Sequence, residues 1–220
     1  MTVRRGTLRA AGGVLAALVL VGPLSAQDGG RFVFSTGGMT LRLQSRVSTG
    51  VAVLTGTAFG GEGSVALGRV ALELGYWQGN LAADRGLSPQ REVIEGKALL
   101  AVRAARWLIL KGGAHARSFV TTAGTERWLF WEARLRAERQ IVNPTVRGHL
   151  ELWRALATEV NSAQAFDRGQ GGEAGMTLRL QRSPVWFRLG YRIEDARLGG
   201  GTRQETIEAL TVSVGAGGAF

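Results

Sequence analysis

From Leu41 onward, apolar and polar side chains take turns along most of the chain. Leu41, Leu43 and Val47 alternate with Arg42, Gln44 and Arg46, and Val51 and Val53 follow a turn signal at Ser48-Thr49-Gly50. Val70, Leu72, Leu74 and Tyr76 share one parity, with Arg69, Glu73 and Trp77 on the other. Ile94, Ala98, Leu100 and Val102 oppose Glu95, Lys97 and Arg103, and Leu108, Leu110, Ala114 and Ala116 oppose Lys111, His115 and Arg117. The pattern returns over 126–141, 146–160, 176–181, 185–194 and 205–220. A period of two puts successive side chains on opposite faces of a strand. Ala, Leu, Arg and Glu in 92–110 and 126–141 would suit helices, but period two fits those windows better than 3.6.

The predicted breaks are Gly60-Gly61-Glu62-Gly63, the loop 82–91, short connections at 105–106 and 121–125, Asn143-Pro144, the loop 161–172, Ser183-Pro184 and Gly199-Gly200-Gly201. Pro89, Pro144 and Pro184 all fall in these breaks, as residues that cannot donate to a ladder should. About ten strands are expected. The alternative is eight, because 41–59 could be one long strand and closure with both ends on one side needs an even number. Residues 27–38 are Gly-rich and poorly patterned.

The two ends add a location. Arg4, Arg5 and Arg9 precede an apolar stretch, Ala10 to Val21, that is shorter than the roughly 20 residues a spanning helix needs. Pro23 and Ser25-Ala26 follow, so 1–26 read as an export signal cleaved near Ala26. At the other end Leu210, Val212, Val214 and Ala216 alternate with Thr211, Ser213 and Gly215 and lead to a terminal Phe220. An alternating last strand with a terminal aromatic resembles the assembly signal of Gram-negative outer-membrane β-barrels. The chain is thus similar to small outer-membrane barrel proteins as a class. The resemblance implies an all-β fold, a single antiparallel up-and-down transmembrane barrel over 27–220. It also implies outer-membrane lipid and the barrel-assembly machinery as partners, the latter through the last strand.

Composition narrows the chemistry. The chain has no cysteine, which excludes disulfides, thiol nucleophiles and Cys-metal sites. Its 27 Lys and Arg exceed its 17 Asp and Glu, but the bases alternate with apolar residues rather than forming runs. That pattern and an export signal point away from nucleic acid.

With the apolar parity outward, the lumen would carry Arg42, Arg46, Arg69, Lys97, Arg103, Lys111, Arg117, Arg134, Arg136, Arg147, Arg179, Arg188 and Arg192. The acids there would be Glu73, Glu95, Glu132, Glu138, Glu151 and Glu194. The expected role is a structural charge network in a closed or narrow lumen, or a ligand site. A small anion-preferring pore is the alternative, since rings of Arg and Lys favour anions. A secreted soluble β-sandwich that binds a ligand is the second alternative, because its solvent face would also alternate.

Tyr76, Phe119, Trp128 and Trp131 toward one end, and Phe59, Trp107, Phe187 and Phe220 toward the other, suggest two interfacial girdles. Arg154 falls on the lipid parity inside its strand, and Arg139 and Glu208 near strand ends. Glu173 is placed beside a loop.

An enzyme is not expected. The only histidines, His115 and His149, sit mid-strand among arginines, and no Ser-His-Asp constellation can be assembled. No metal site and no cofactor are expected, and the glycine groups read as turns, not phosphate loops. Removal of Phe220 should reduce the amount of protein assembled in the membrane, read by fractionation. A fully folded, periplasmic soluble product from the intact chain would overturn the location.

Overall fold

The computed structural model describes residues 30–83, 90–122, 124–142, 144–162 and 164–217. The proposed export signal, Pro89 and Phe220 lie outside the described residues. The ten strands are β1 (Gly30–Val47), β2 (Gly50–Leu67), β3 (Val70–Ala83), β4 (Arg91–Ala105), β5 (Leu108–Thr121), β6 (Gly124–Gln140), β7 (Val146–Val160), β8 (Phe166–Arg179), β9 (Val185–Leu198) and β10 (Arg203–Gly217). Each pairs antiparallel with its sequence neighbours, and β1 pairs with β10 to close the barrel. Closure satisfies the backbone groups that an open edge would leave unpaired. It also excludes the two-sheet sandwich and the eight-strand count.

Because the strand number is even, β1 begins and β10 ends at the same end of the barrel. We call this the termini end. The β2–β3, β4–β5, β6–β7 and β8–β9 pairs are joined here, the first two through the two-residue turns 68–69 and 106–107. The β1–β2, β3–β4, β5–β6, β7–β8 and β9–β10 pairs are joined at the opposite end. Pro144 and Pro184 lie between strands.

Three predicted boundaries move. Gly60 to Gly63 lie inside β2, and the turn comes at Gly68, which takes a left-handed φ of 62°. Those glycines serve close approach: a Cβ at Gly61 would lie 2.5 Å from the Ser35 carbonyl oxygen, and one at Gly60 would collide with that of Tyr76. β8 begins at Phe166, so much of the predicted loop 161–172, and Glu173 beyond it, belongs to a strand. β1 begins at Gly30, within the segment that lacked a pattern, and Ser48-Thr49 does separate two strands.

The two faces exchange character partway along the wall. In the strand halves nearest the termini end, the outer face is apolar: Leu72 and Leu74 on β3, Leu100 and Val102 on β4, Leu189 on β9, Val212 and Val214 on β10 are all exposed. Toward the opposite end the outer face turns polar, with Arg42, Arg46, Gln78, Asn80 and Arg127 exposed. There the lumen becomes apolar instead. Leu43, Leu54, Leu81, Val93, Phe119, Trp128, Phe130, Leu198 and Ile207 belong to one buried cluster.

This exchange corrects two expectations. Arg42 and Arg46 point outward, because at their level Leu41, Leu43 and Ser45 fill the lumen. Arg42 pairs across the strand with Glu208 on the outer face, 3.3 Å apart. Phe119 and Trp128 are not girdle residues; both are 1% exposed, inside the barrel. Phe59, Tyr76, Trp107, Trp131 and Phe187 are exposed on the outside. Arg154 is also outward and exposed. Beside it the β6–β7 ladder shifts between Trp131↔Ala157 and Glu132↔Ala155, which leaves Leu156 as the extra residue of a bulge.

Candidate functional site: a charged lumen under an apolar cap

The lumen has three levels. At the end away from the termini, the cap is an aromatic cluster. Phe119 meets Trp128 at 5.3 Å between ring centroids, Trp128 meets Phe130 at 5.9 Å, and Phe130 meets Phe166 at 5.3 Å, all near edge-to-face. Such pairs add to the gain from burying the rings. Above them a polar clamp crosses the barrel. Arg203 on β10 gives Nη1 and Nη2 to the two carboxylate oxygens of Glu126 on β6, at 3.0 and 2.9 Å. Arg203 also pairs with Glu205, which lies 3.7 Å from Arg91 on β4.

The middle level is a ring of buried ions. Arg192 on β9 donates Nη1 and Nη2 to Glu95 on β4, at 2.6 and 3.1 Å. In a ten-stranded barrel β4 and β9 are five strands apart in either direction, so this bidentate pair spans the lumen. Arg117 bonds both Glu95, at 3.3 Å, and Glu194. His115 is fully buried beside them, its Nε2 3.0 Å from Glu95 and its Nδ1 3.5 Å from Glu132.

The third level faces the termini end. Glu151 on β7 accepts from Lys111 at 2.9 Å, Arg134 at 2.8 Å and Arg136 at 3.5 Å. Each of those bases has a second carboxylate: Glu73 for Lys111 (2.9 Å), Glu132 for Arg134 (2.6 Å) and Glu138 for Arg136 (2.7 Å). Lys97 bonds Glu62 at 2.6 Å, and His149 meets Glu173 at 3.0 Å. A cavity of about 230 Å³ runs through this level. It is far larger than the roughly 10–15 Å³ that one water needs.

The strands hold these groups by trading volume across the ladder. A Cβ at Gly175 would lie 2.6 Å from His149, and one at Gly215 would collide with the Trp186 ring. Glycine on one strand therefore makes room for a large lumen side chain on the next.

Of the predicted lumen residues, the structure brings together Glu73, Glu95, Lys97, Lys111, Arg117, Glu132, Arg134, Arg136, Glu138, Glu151, Arg192 and Glu194 in these ion pairs. Arg147, Arg179 and Arg188 line the cavity near its mouth. Arg103 stays at the termini end, bonding the Arg106 carbonyl at 3.2 Å. Arg69 is exposed in the turn after β2 and does not join the network, because the strand ends before its side chain can enter the lumen.

Sequence reasoning missed Glu62, Glu126, Glu173, Arg203, Glu205 and the whole apolar cap. Its signal was present. On β6 the apolar parity shifts by one at Phe130-Trp131, on β3 at Tyr76-Trp77, and on β10 at Ala209-Leu210. Each adjacent apolar pair marks where the faces exchange. Among the described residues no group of acidic residues and histidines could hold a metal ion.

No family model matches the chain, and no curated protein matches it. Solved structures similar to it include Neisserial surface protein A, at 11% identity, covering 83% of this chain and 96% of that one with a TM-score of 0.41. The translocator domain of the autotransporter NalP from Neisseria meningitidis is similar at 12% identity, covering 86% and 89%, with a TM-score of 0.47. Ail, the attachment invasion locus protein of Yersinia pestis, is similar at 10% identity, covering 86% and 99%, with a TM-score of 0.38. At these identities and scores they carry no argument about residues or activity.

Glu151→Gln should destabilise the barrel by about 3–5 kcal/mol, because it leaves buried Lys111, Arg134 and Arg136 short of a partner. Glu208→Gln, which loses only the exposed pair with Arg42, should cost about 0–1 kcal/mol. The midpoint of thermal unfolding in detergent reads both. Equal shifts would show that Glu151 is solvated.

Proposed function

We propose that the protein is an outer-membrane barrel with a sealed lumen, a receptacle open at its termini end rather than a pore. The observation that carries this reading is the exchange of faces. Outside the termini half lies a continuous apolar belt with aromatic rings exposed on it, among them Phe32, Tyr76, Trp107, Trp131 and Phe187. Lipid is the environment in which such a belt is stable, and aromatic rings suit the headgroup level.

A tilted strand needs about 9–11 residues to cross a bilayer. These strands have 14 to 18, so each one extends well past the hydrocarbon. The extension is the capped half, polar outside and apolar inside like any water-soluble domain. Arg154 sits near that boundary, where an outward charge costs about 0–1 kcal/mol rather than the 2–4 of the midplane.

The interior network supports a structural role, since its pairs staple opposite walls. The cavity supports binding of a small polar solute. A binding role also fits the histidines better than catalysis: His115 is fully buried between two carboxylates, and His149 is engaged by Glu173. The export signal of 1–26 and the terminal Phe220 support the location, with the termini end in the periplasm.

The anion-pore reading meets the aromatic cap, which fills the lumen with side chains as little exposed as Leu198, at 0%. In planar bilayers, correctly folded protein should show no steady conductance, even though its lumen is strongly charged. Reproducible conductance steps from heat-modifiable, folded protein would overturn the sealed lumen, and anion preference in those steps would establish the pore instead.

A further inference from the structure

The mouth of the cavity holds bases that the network engages weakly or not at all. Eight Lys and Arg line the cavity against five Glu. The carboxylates are taken up by the bases deeper in. Among the described residues the Arg147 side chain makes no ion pair or hydrogen bond, while its backbone belongs to the ladder. Arg179 reaches only the Gly217 carbonyl, at 3.4 Å. Arg188 has a distant contact with Glu62 at 3.8 Å and donates Nε to the Thr177 hydroxyl at 3.3 Å.

The three come from adjacent strands in one patch. Arg147 on β7 lies opposite Thr177 on β8, and Thr177 lies opposite Arg188 on β9. One step toward the mouth, Arg179 lies opposite Trp186. Directly opposite side chains in a ladder start about 4.5–5.5 Å apart, so Arg147 and Arg188 flank Thr177 from either side, and all three arginines line the same cavity. The Arg188 guanidinium sits 4.9 Å from the centre of the Trp186 ring, which holds it without consuming its charge.

A second feature points the same way. The turns at this end expose Arg69, Arg106 and Arg182, and the end of β6 exposes Arg139. A rim of one sign around a cavity with low-dielectric walls concentrates ions of the opposite sign at its entrance.

We propose that Arg147, Arg179 and Arg188 form an oxyanion site at the mouth of the lumen, which takes the phosphate or carboxylate group of a small solute from the termini side. The planar guanidinium fork matches such groups with two parallel bonds. The Thr177 hydroxyl, already accepting from Arg188, can turn its own proton toward the anion. Trp186 offers an apolar wall to whatever carries the charge. The inference rests on the sealed, one-ended receptacle described above.

The test uses the full-length mature barrel, folded in a maltoside detergent that carries no phosphate, titrated with inorganic phosphate by calorimetry at low salt. Saturable one-site binding is expected. Arg147→Gln and Arg179→Gln should each weaken it about tenfold or more, the size of one charge-assisted bond. Glu208→Gln should leave it unchanged. Should the Gln variants fail to fold, Arg147→Lys keeps the charge but loses the fork and should still weaken binding several-fold.

Phosphate binding that is absent, or that the Arg variants leave unaltered, would overturn the site. Binding of a short-chain phosphatidic acid without any response to inorganic phosphate would overturn it as well, and would assign the arginines to lipid headgroups. None of these failures touches the sealed lumen, which stands or falls on conductance.

Discussion

A strand that leaves lipid for water midway along its length must exchange the polarity of its two faces. In hydrocarbon, the outside of the wall has to be apolar, and the side chains left to the lumen can be charged. In water, the outside has to be polar, and the apolar residues that hold the wall together have to go inside. On the proposed reading, the rest of this barrel follows from that switch. The charged network occupies the half that the belt surrounds, and the Phe119, Trp128, Phe130 and Phe166 cluster occupies the half that projects beyond it.

The switch also sets how ions can be kept in the lumen. Buried charges are costly unless every one has a partner with good geometry. Here the pairs reach across as well as along the wall. Arg192 to Glu95 spans β9 to β4, and Arg203 to Glu126 spans β10 to β6. Such pairs fix the cross-section of a wall whose own ladder bonds resist only sliding and separation of neighbouring strands. At the mouth the pairing thins: among the described residues Arg147 has no side-chain partner, and Arg179 and Arg188 make only long polar contacts, of 3.3 to 3.8 Å.

Much of the architecture was legible because the period of two is a property of the backbone and survives any change of surroundings. The alternation on β4 puts Glu95, Lys97 and Arg103 on one parity, and that on β6 does the same for Glu132, Arg134, Arg136 and Glu138; in the structure none of these is exposed. What failed was the assumption that one parity means one environment throughout. Arg42 and Arg46 sit on a perfectly alternating strand, yet they belong to the part of the wall where polar means outside. Phe119 and Trp128 were misplaced for the same reason. The glycines of β2 misled differently: Gly60 and Gly61 look like a turn, but they mark where a neighbouring strand's carbonyl leaves no room for a side chain. The ion pairs across the lumen had no local signal, since Glu95 and Arg192 are 97 residues apart.

The glycines opposite large lumen side chains set how closely neighbouring strands and their contents can approach. Gly215 and Trp186 occupy one volume between them, as do Gly175 and His149. A Cβ at either glycine would also come within 2.5–2.6 Å of a backbone carbonyl oxygen, of Leu189 for Gly175 and of Phe34 for Gly215, so shrinking the opposite side chain alone would not make room. The width of the lumen is thus set at these levels by where the wall's own backbone stands, and the large side chains of Trp186 and His149 occupy only what that backbone leaves.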